Sequence, residues 1–75
     1  MGRIPESESE KWYNLGAAYG DSGKYEKAIE CFDKVIELEP NNAFAWKGKG
    51  MAFSDSGKYE EAVKCFDEST KLDPD

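Results

Sequence analysis

The sequence predicts an all-α fold of two stacked antiparallel helix pairs, and three observations carry that prediction. The hexapeptide Asp21-Ser22-Gly23-Lys24-Tyr25-Glu26 recurs unchanged as Asp55-Ser56-Gly57-Lys58-Tyr59-Glu60. The same shift of 34 residues carries Trp12 to Trp46, Gly16 to Gly50, Ala28 to Ala62, Cys31 to Cys65, Phe32 to Phe66 and Pro40 to Pro74. A period of this size marks units that stack because none can bury its apolar face alone. The apolar residues between the repeated landmarks fall at i, i+3, i+4 and i+7, the stripe of a helix and not the alternation of a strand.

Taken in order, a start expected to be frayed gives way to Ser7-Glu8-Ser9-Glu10, which fits a capping box. The Ser7 hydroxyl accepts from a free backbone amide while Glu10 reaches back. The first helix carries Trp12, Leu15, Gly16 and Tyr19 on one stripe, and Gly23 ends it by supplying a left-handed residue. A second helix is expected from Lys24 or Tyr25, with Glu26 favoured near the positive end of its dipole. Its stripe is Tyr25, Ala28, Ile29, Phe32, Val35 and Ile36, and it must stop before Pro40, which lacks an amide and disfavours helical geometry at Glu39.

Asn41 and Asn42 offer caps for a third helix bearing Trp46, Gly50 and Phe53, with Lys49 in the place of Leu15. Gly57 ends it. The fourth helix repeats Tyr59, Ala62, Val63 and Phe66, then carries Ser69 and Thr70 where the second has Val35 and Ile36. Gly16 and Gly50 lie mid-helix, where each costs about 1 kcal/mol relative to alanine, so close helix approach must offset them. Both tryptophans are expected in the shared core.

Seventy-five residues make one small domain of marginal stability. The net charge of -6 argues against nucleic acid or an anionic membrane as a partner and favours neutral or basic ones. No apolar run spans a bilayer, Met1-Gly2-Arg3-Ile4-Pro5 lacks the apolar core of a signal peptide, and Glu6 makes Gly2 a poor myristoylation site. A cytoplasmic location is expected. Cys31 and Cys65 hold equivalent places in successive units, roughly a helix spacing of 8–10 Å apart, beyond the reach of a disulfide. They are expected to be small half-buried helix residues.

Trp12, Leu15, Gly16, Tyr19, Ala28, Phe32 and Pro40, echoed by Trp46, Gly50, Phe53, Ala62, Phe66 and Pro74, resemble the tetratricopeptide repeat. The resemblance covers about nine-tenths of the chain. It implies a short right-handed α-solenoid segment, with an extension over residues 1–8, a first repeat over 9–42 and a second over 43–75. Lys49 replaces a leucine, and Val35 and Ser69 replace alanines, which should weaken packing locally.

Proteins of this family bind peptide segments or other proteins and carry no catalysis of their own. The resemblance places a concave groove on the first helix of each unit, lined here by Glu10, Tyr13, Ala17 and Asp21, then Phe44, Lys47, Met51 and Asp55. The lysine, asparagine and arginine set with which one subtype grips terminal carboxylates is not shown: only Asn14 and Lys47 have the right residue types at its places, and no frame over two repeats aligns both with their neighbours, since Tyr13 and Ala17 stand where lysine and asparagine would be and Phe44 and Gly48 replace a lysine and an arginine.

The groove has an apolar middle. Tyr13 and Phe44 either cover one another across the repeat junction and extend the core, or line a site for an apolar or weakly basic peptide. Glu10, Asp21 and Asp55 offer a further electrostatic reading, in which they attract a basic ligand. A second function class is structural: Phe53, Ala62 and Phe66 are expected to face a partner at the open end. That partner is a second chain, by two-fold pairing or helix exchange through Asp55 to Lys58, or further repeats of a longer array.

Enzyme chemistry finds no footing. Neither cysteine has an activating base, there is no histidine, no close cysteine pair offers a metal site, and Ser22-Gly23-Lys24 and Gly48-Lys49-Gly50 fail the nucleotide-loop patterns. No metal or cofactor is expected.

Overall fold

A computed structural model describes residues 7–74 of the chain. The expected N-terminal extension, up to residue 6, and the Gly2 reading lie outside these residues. Four helices follow in order: α1 (Glu8–Asp21), α2 (Tyr25–Leu38), α3 (Ala43–Asp55) and α4 (Tyr59–Leu72). No strand occurs among the described residues.

Local chemistry sets each boundary. The Glu10 amide donates to Ser7 Oγ at 3.1 Å and the Ser7 amide to Glu10 Oε1 at 3.0 Å, closing the capping box of α1. At its other end Gly23 takes φ of +81°, the Gly23 amide donates to the Gly20 carbonyl and the Lys24 amide to the Tyr19 carbonyl. This is a Schellman turn, and Gly57 at φ of +90° repeats it with bonds to Ser54 and Phe53. The α2 helix stops one residue before Glu39-Pro40, and Asn42, not Asn41, caps α3 by accepting from the Ala45 amide at 3.1 Å.

Consecutive helices pack on one another, α1 on α2, α2 on α3 and α3 on α4, so the third helix closes the core that the first pair leaves open. That core is built mainly of small residues: Ala28, Cys31, Val35, Ala45, Ala52, Ala62 and Cys65 are buried along with Phe32, and Ala28 and Ala52 cluster with its ring. Small side chains bring backbones close. A Cβ built on Gly16 would lie 3.1 Å from the Phe32 ring, and one on Gly48 only 2.7 Å from it. Phe32 is thus held between a glycine of its own pair and a glycine of the next. Gly50 stands against Phe66 in the same way, at 2.8 Å.

Several stripe residues depart from expectation. Trp12 and Trp46 are half-buried, Leu15 is exposed, and both cysteines are buried instead of half-buried. Leu15 lies on the outer side of α1, beside Trp12 in a shallow recess with Glu8 and Lys11, where no helix covers it. Lys49, expected to weaken packing, is instead held at the repeat junction. Its Nζ lies 2.6 Å from Asp33 Oδ1 on α2 and over the Trp46 and Phe53 rings at 5.4 and 6.0 Å. Ser69 likewise gains a use, donating to the Ala43 carbonyl at the start of α3 at 2.9 Å.

Candidate functional site

Helices α1 and α3 share a recess near their first turns, and polar groups there tie the two helix starts together. Ser9 Oγ donates to Glu39 Oε2 at 3.0 Å, and Asn42 Nδ2 donates to Glu39 Oε1 at 3.0 Å while its Oδ1 caps α3. Ser7 and Ser9 hydroxyls lie 3.2 Å apart. One carboxylate therefore joins the start of α1 to the start of α3, and fixes the separation of the two groove-lining faces.

Above this bridge lies a recess of about 500 Å³ lined by Ser7, Ser9, Glu10, Tyr13, Asn14, Glu39, Asn42 and Phe44. A second recess of about 450 Å³ adjoins Ala43, Phe44, Lys47, Phe66, Ser69, Thr70, Asp73 and Pro74. Phe44 is the wall common to both, and 64% of it is exposed. The reading in which Tyr13 and Phe44 cover one another is not what the structure shows. The Tyr13 and Phe32 rings meet edge to face, with centroids 5.5 Å apart and planes at 66°, while Phe44 stays 64% exposed.

Of the groove residues expected from sequence, Glu10, Tyr13 and Phe44 meet in the first recess, and Phe44 and Lys47 in the second. Ala17, Asp21, Met51 and Asp55 are exposed farther along α1 and α3 and line neither. Glu10 is also committed to its cap, so its charge faces the recess from a fixed place. The open-end set needs a correction: Ala62 is buried, 2% exposed, inside its own helix pair and offers no surface. Phe53 and Phe66 are half-buried.

The family model of the tetratricopeptide repeat matches residues 9–42 and again 43–75. This chain belongs to the tetratricopeptide repeat family. A relative, Superkiller protein 3 of Saccharomyces cerevisiae, is 42% identical over 43 residues, 57% of this chain. The chain spans about 3% of that protein's length. Repeats of this family mediate protein–protein interaction. Among the described residues no helix is long and apolar enough to cross a membrane, and no cluster of three or more His, Cys, Asp or Glu is placed to hold a metal.

Sequence reasoning missed Ser9, Glu39 and Asn42 as parts of the groove. In the sequence each is only a helix-end residue. Ser9 and Glu39 lie 30 positions apart, so their bond has no local signature.

Proposed function

We propose that this tetratricopeptide repeat pair is a non-catalytic interaction module that takes an extended peptide of a partner protein across Phe44. The observation that carries this reading is Phe44 itself, a large apolar side chain 64% exposed on a helix and flanked by a recess on each side. Exposed aromatics with concave surroundings act as anchors, because they bury much area on binding at little conformational cost. Glu10 and Glu39 on one side and the net charge of -6 favour an apolar segment with a basic residue. Lys47 and Asp73 on the other side would hold polar groups of the peptide. The unpaired, buried thiols of Cys31 and Cys65 suit a reducing compartment such as the cytoplasm.

The test is a screen of random peptides followed by titration calorimetry. A two-repeat groove is short, so dissociation constants in the micromolar range or weaker are expected, about -8 kcal/mol at best. Phe44→Ala should weaken binding by about 10-fold or more, which is about 1.4 kcal/mol, with the helical circular dichroism unchanged because so little of Phe44 is packed. Binders indifferent to Phe44→Ala would place the site elsewhere.

A further inference from the structure

Helix α4 packs on α3 and on no other helix among the described residues, and it buries Ala62 and Cys65 there. Away from that contact it carries two stripes of different chemistry. At about 100° per residue, Glu60, Lys64, Asp67 and Lys71 fall within about 60° of one another, and all are exposed. Tyr59, Val63, Phe66 and Thr70 form the second stripe, about 100° round the helix from the first. Tyr59 is 66% and Val63 57% exposed, Thr70 is exposed and Phe66 half-buried.

The charged stripe is where the two units part. The shift of 34 residues maps Glu60, Lys64, Asp67 and Lys71 to Glu26, Glu30, Asp33 and Glu37 on α2, which are acidic throughout. The second unit keeps the acids at 60 and 67 and puts lysines at 64 and 71, so the signs alternate along α4. Alternation at these spacings suits pairing within one helix. That use is hardly taken. No ion pair among the described residues involves Glu60, Lys64 or Asp67, and Lys71 reaches Glu68 at 3.7 Å with both groups exposed.

We propose that this side of α4 is a two-fold interface with α4 of a second copy of this chain, the two helices running antiparallel. With the axis level with residues 65 and 66, Glu60 meets Lys71 of the second copy and Lys64 meets its Asp67, and the axis repeats both pairs. Every charge of the stripe thus finds the opposite sign. Antiparallel helices bring like flanks together, so the other flank sets Val63 against Phe66, and Tyr59 against Thr70, of the second copy. Parallel pairing would set each charge against its own kind, and α2 paired with itself would set acid against acid. One helix-on-helix contact is small, below about 1,200 Å², so the dimer is weak and reversible, with a dissociation constant of about 100 μM. The net charge of -6 on each chain opposes association at long range, and screening beyond about 8 Å at physiological salt leaves the local pairs to decide. Phe44, on α3, takes no part.

The experiment is sedimentation equilibrium of the full chain at physiological salt. From about 10 μM to about 1 mM the mass should move from one chain towards two. Lys64→Glu and Asp67→Lys should each weaken dimerisation by about 10-fold or more, because each sets like charges together twice across the axis. Circular dichroism should stay unchanged, since both side chains are exposed and neither is in an ion pair. An equimolar mixture of the two variants should dimerise as the parent chain does, and so should the double variant, because opposite charges then meet at both places. A single-chain mass at every concentration would overturn the proposal. So would a dimer indifferent to both charge reversals, or a mixture that stays as dissociated as its components.

Discussion

Gly48 and Gly20 have the same helix propensity and opposite surroundings, which makes them a direct test of how the core is closed. A Cβ at Gly20 would meet only the Ala28 methyl at 4.0 Å, an ordinary contact, so Gly20→Ala should stabilise by about 0.5–1 kcal/mol through the helix backbone alone. At Gly48 the same gain is opposed by overpacking of about 1–3 kcal/mol, because the Phe32 ring is backed by Gly16 and cannot retreat. Gly48→Ala should destabilise by about 1 kcal/mol net, and urea midpoints shifting in the same direction for both variants would contradict the sandwich. The cysteines give a second residue-scale test. Burial, with Glu30 adding, pushes the Cys31 thiol above its ordinary range. Burial does the same at Cys65, opposed by Lys49 and reinforced by Asp33, Glu61 and Glu68. A thiol whose folded value is raised stabilises fully below the unfolded value, about pH 8.5, and that contribution is lost as pH rises through the folded value. The urea midpoint should therefore fall from about pH 8 to about pH 10 more steeply in this chain than in a Cys31→Ala, Cys65→Ala variant.

At the scale of elements, what the sequence disclosed is what short-range chemistry decides. The capping box, the two left-handed glycines and the stop before Pro40 each depend on residues within one turn, and all four helices begin and end close to where these signals fall. The helical stripes were also legible, but a stripe names an apolar face without naming its neighbour. Leu15 and Val63 belong to good stripes and stand exposed, because no helix among the described residues packs over either. Lys49 shows the converse: a charge in an apolar position looks like a packing defect until the partner carboxylate, Asp33 on another helix, is known. The groove divides the same way. Tyr13, Phe44 and Lys47 followed from helical spacing and the family resemblance, whereas Glu39 joined the groove through bonds to Ser9 and Asn42 that only the stacking of the two units creates.

For the whole molecule the decisive question is whether two repeats fold as one body, and Phe32 supplies the argument. Its ring contacts Tyr13 and the Gly16 backbone region from α1, lies on α2, and meets Gly48 from α3, so neither pair alone can surround it. Opening the α2–α3 junction would expose Phe32 and part the Lys49–Asp33 ion pair together, so the repeats should unfold in a single transition. Phe66 has the equivalent place in the second unit but is less covered, with its recess open beside Thr70 and Pro74. Phe32→Ala should then cost about 3–5 kcal/mol, most of the stability of a domain this small, while Phe66→Ala costs about half as much. Amide exchange read separately on α1–α2 and α3–α4 would check this. Phe32→Ala should lower protection in both pairs equally, because it removes the contact they share. Loss confined to α1 and α2, with α3 and α4 still protected, would mean that the second repeat stands alone and that the junction is an ordinary surface contact instead of the centre of one core.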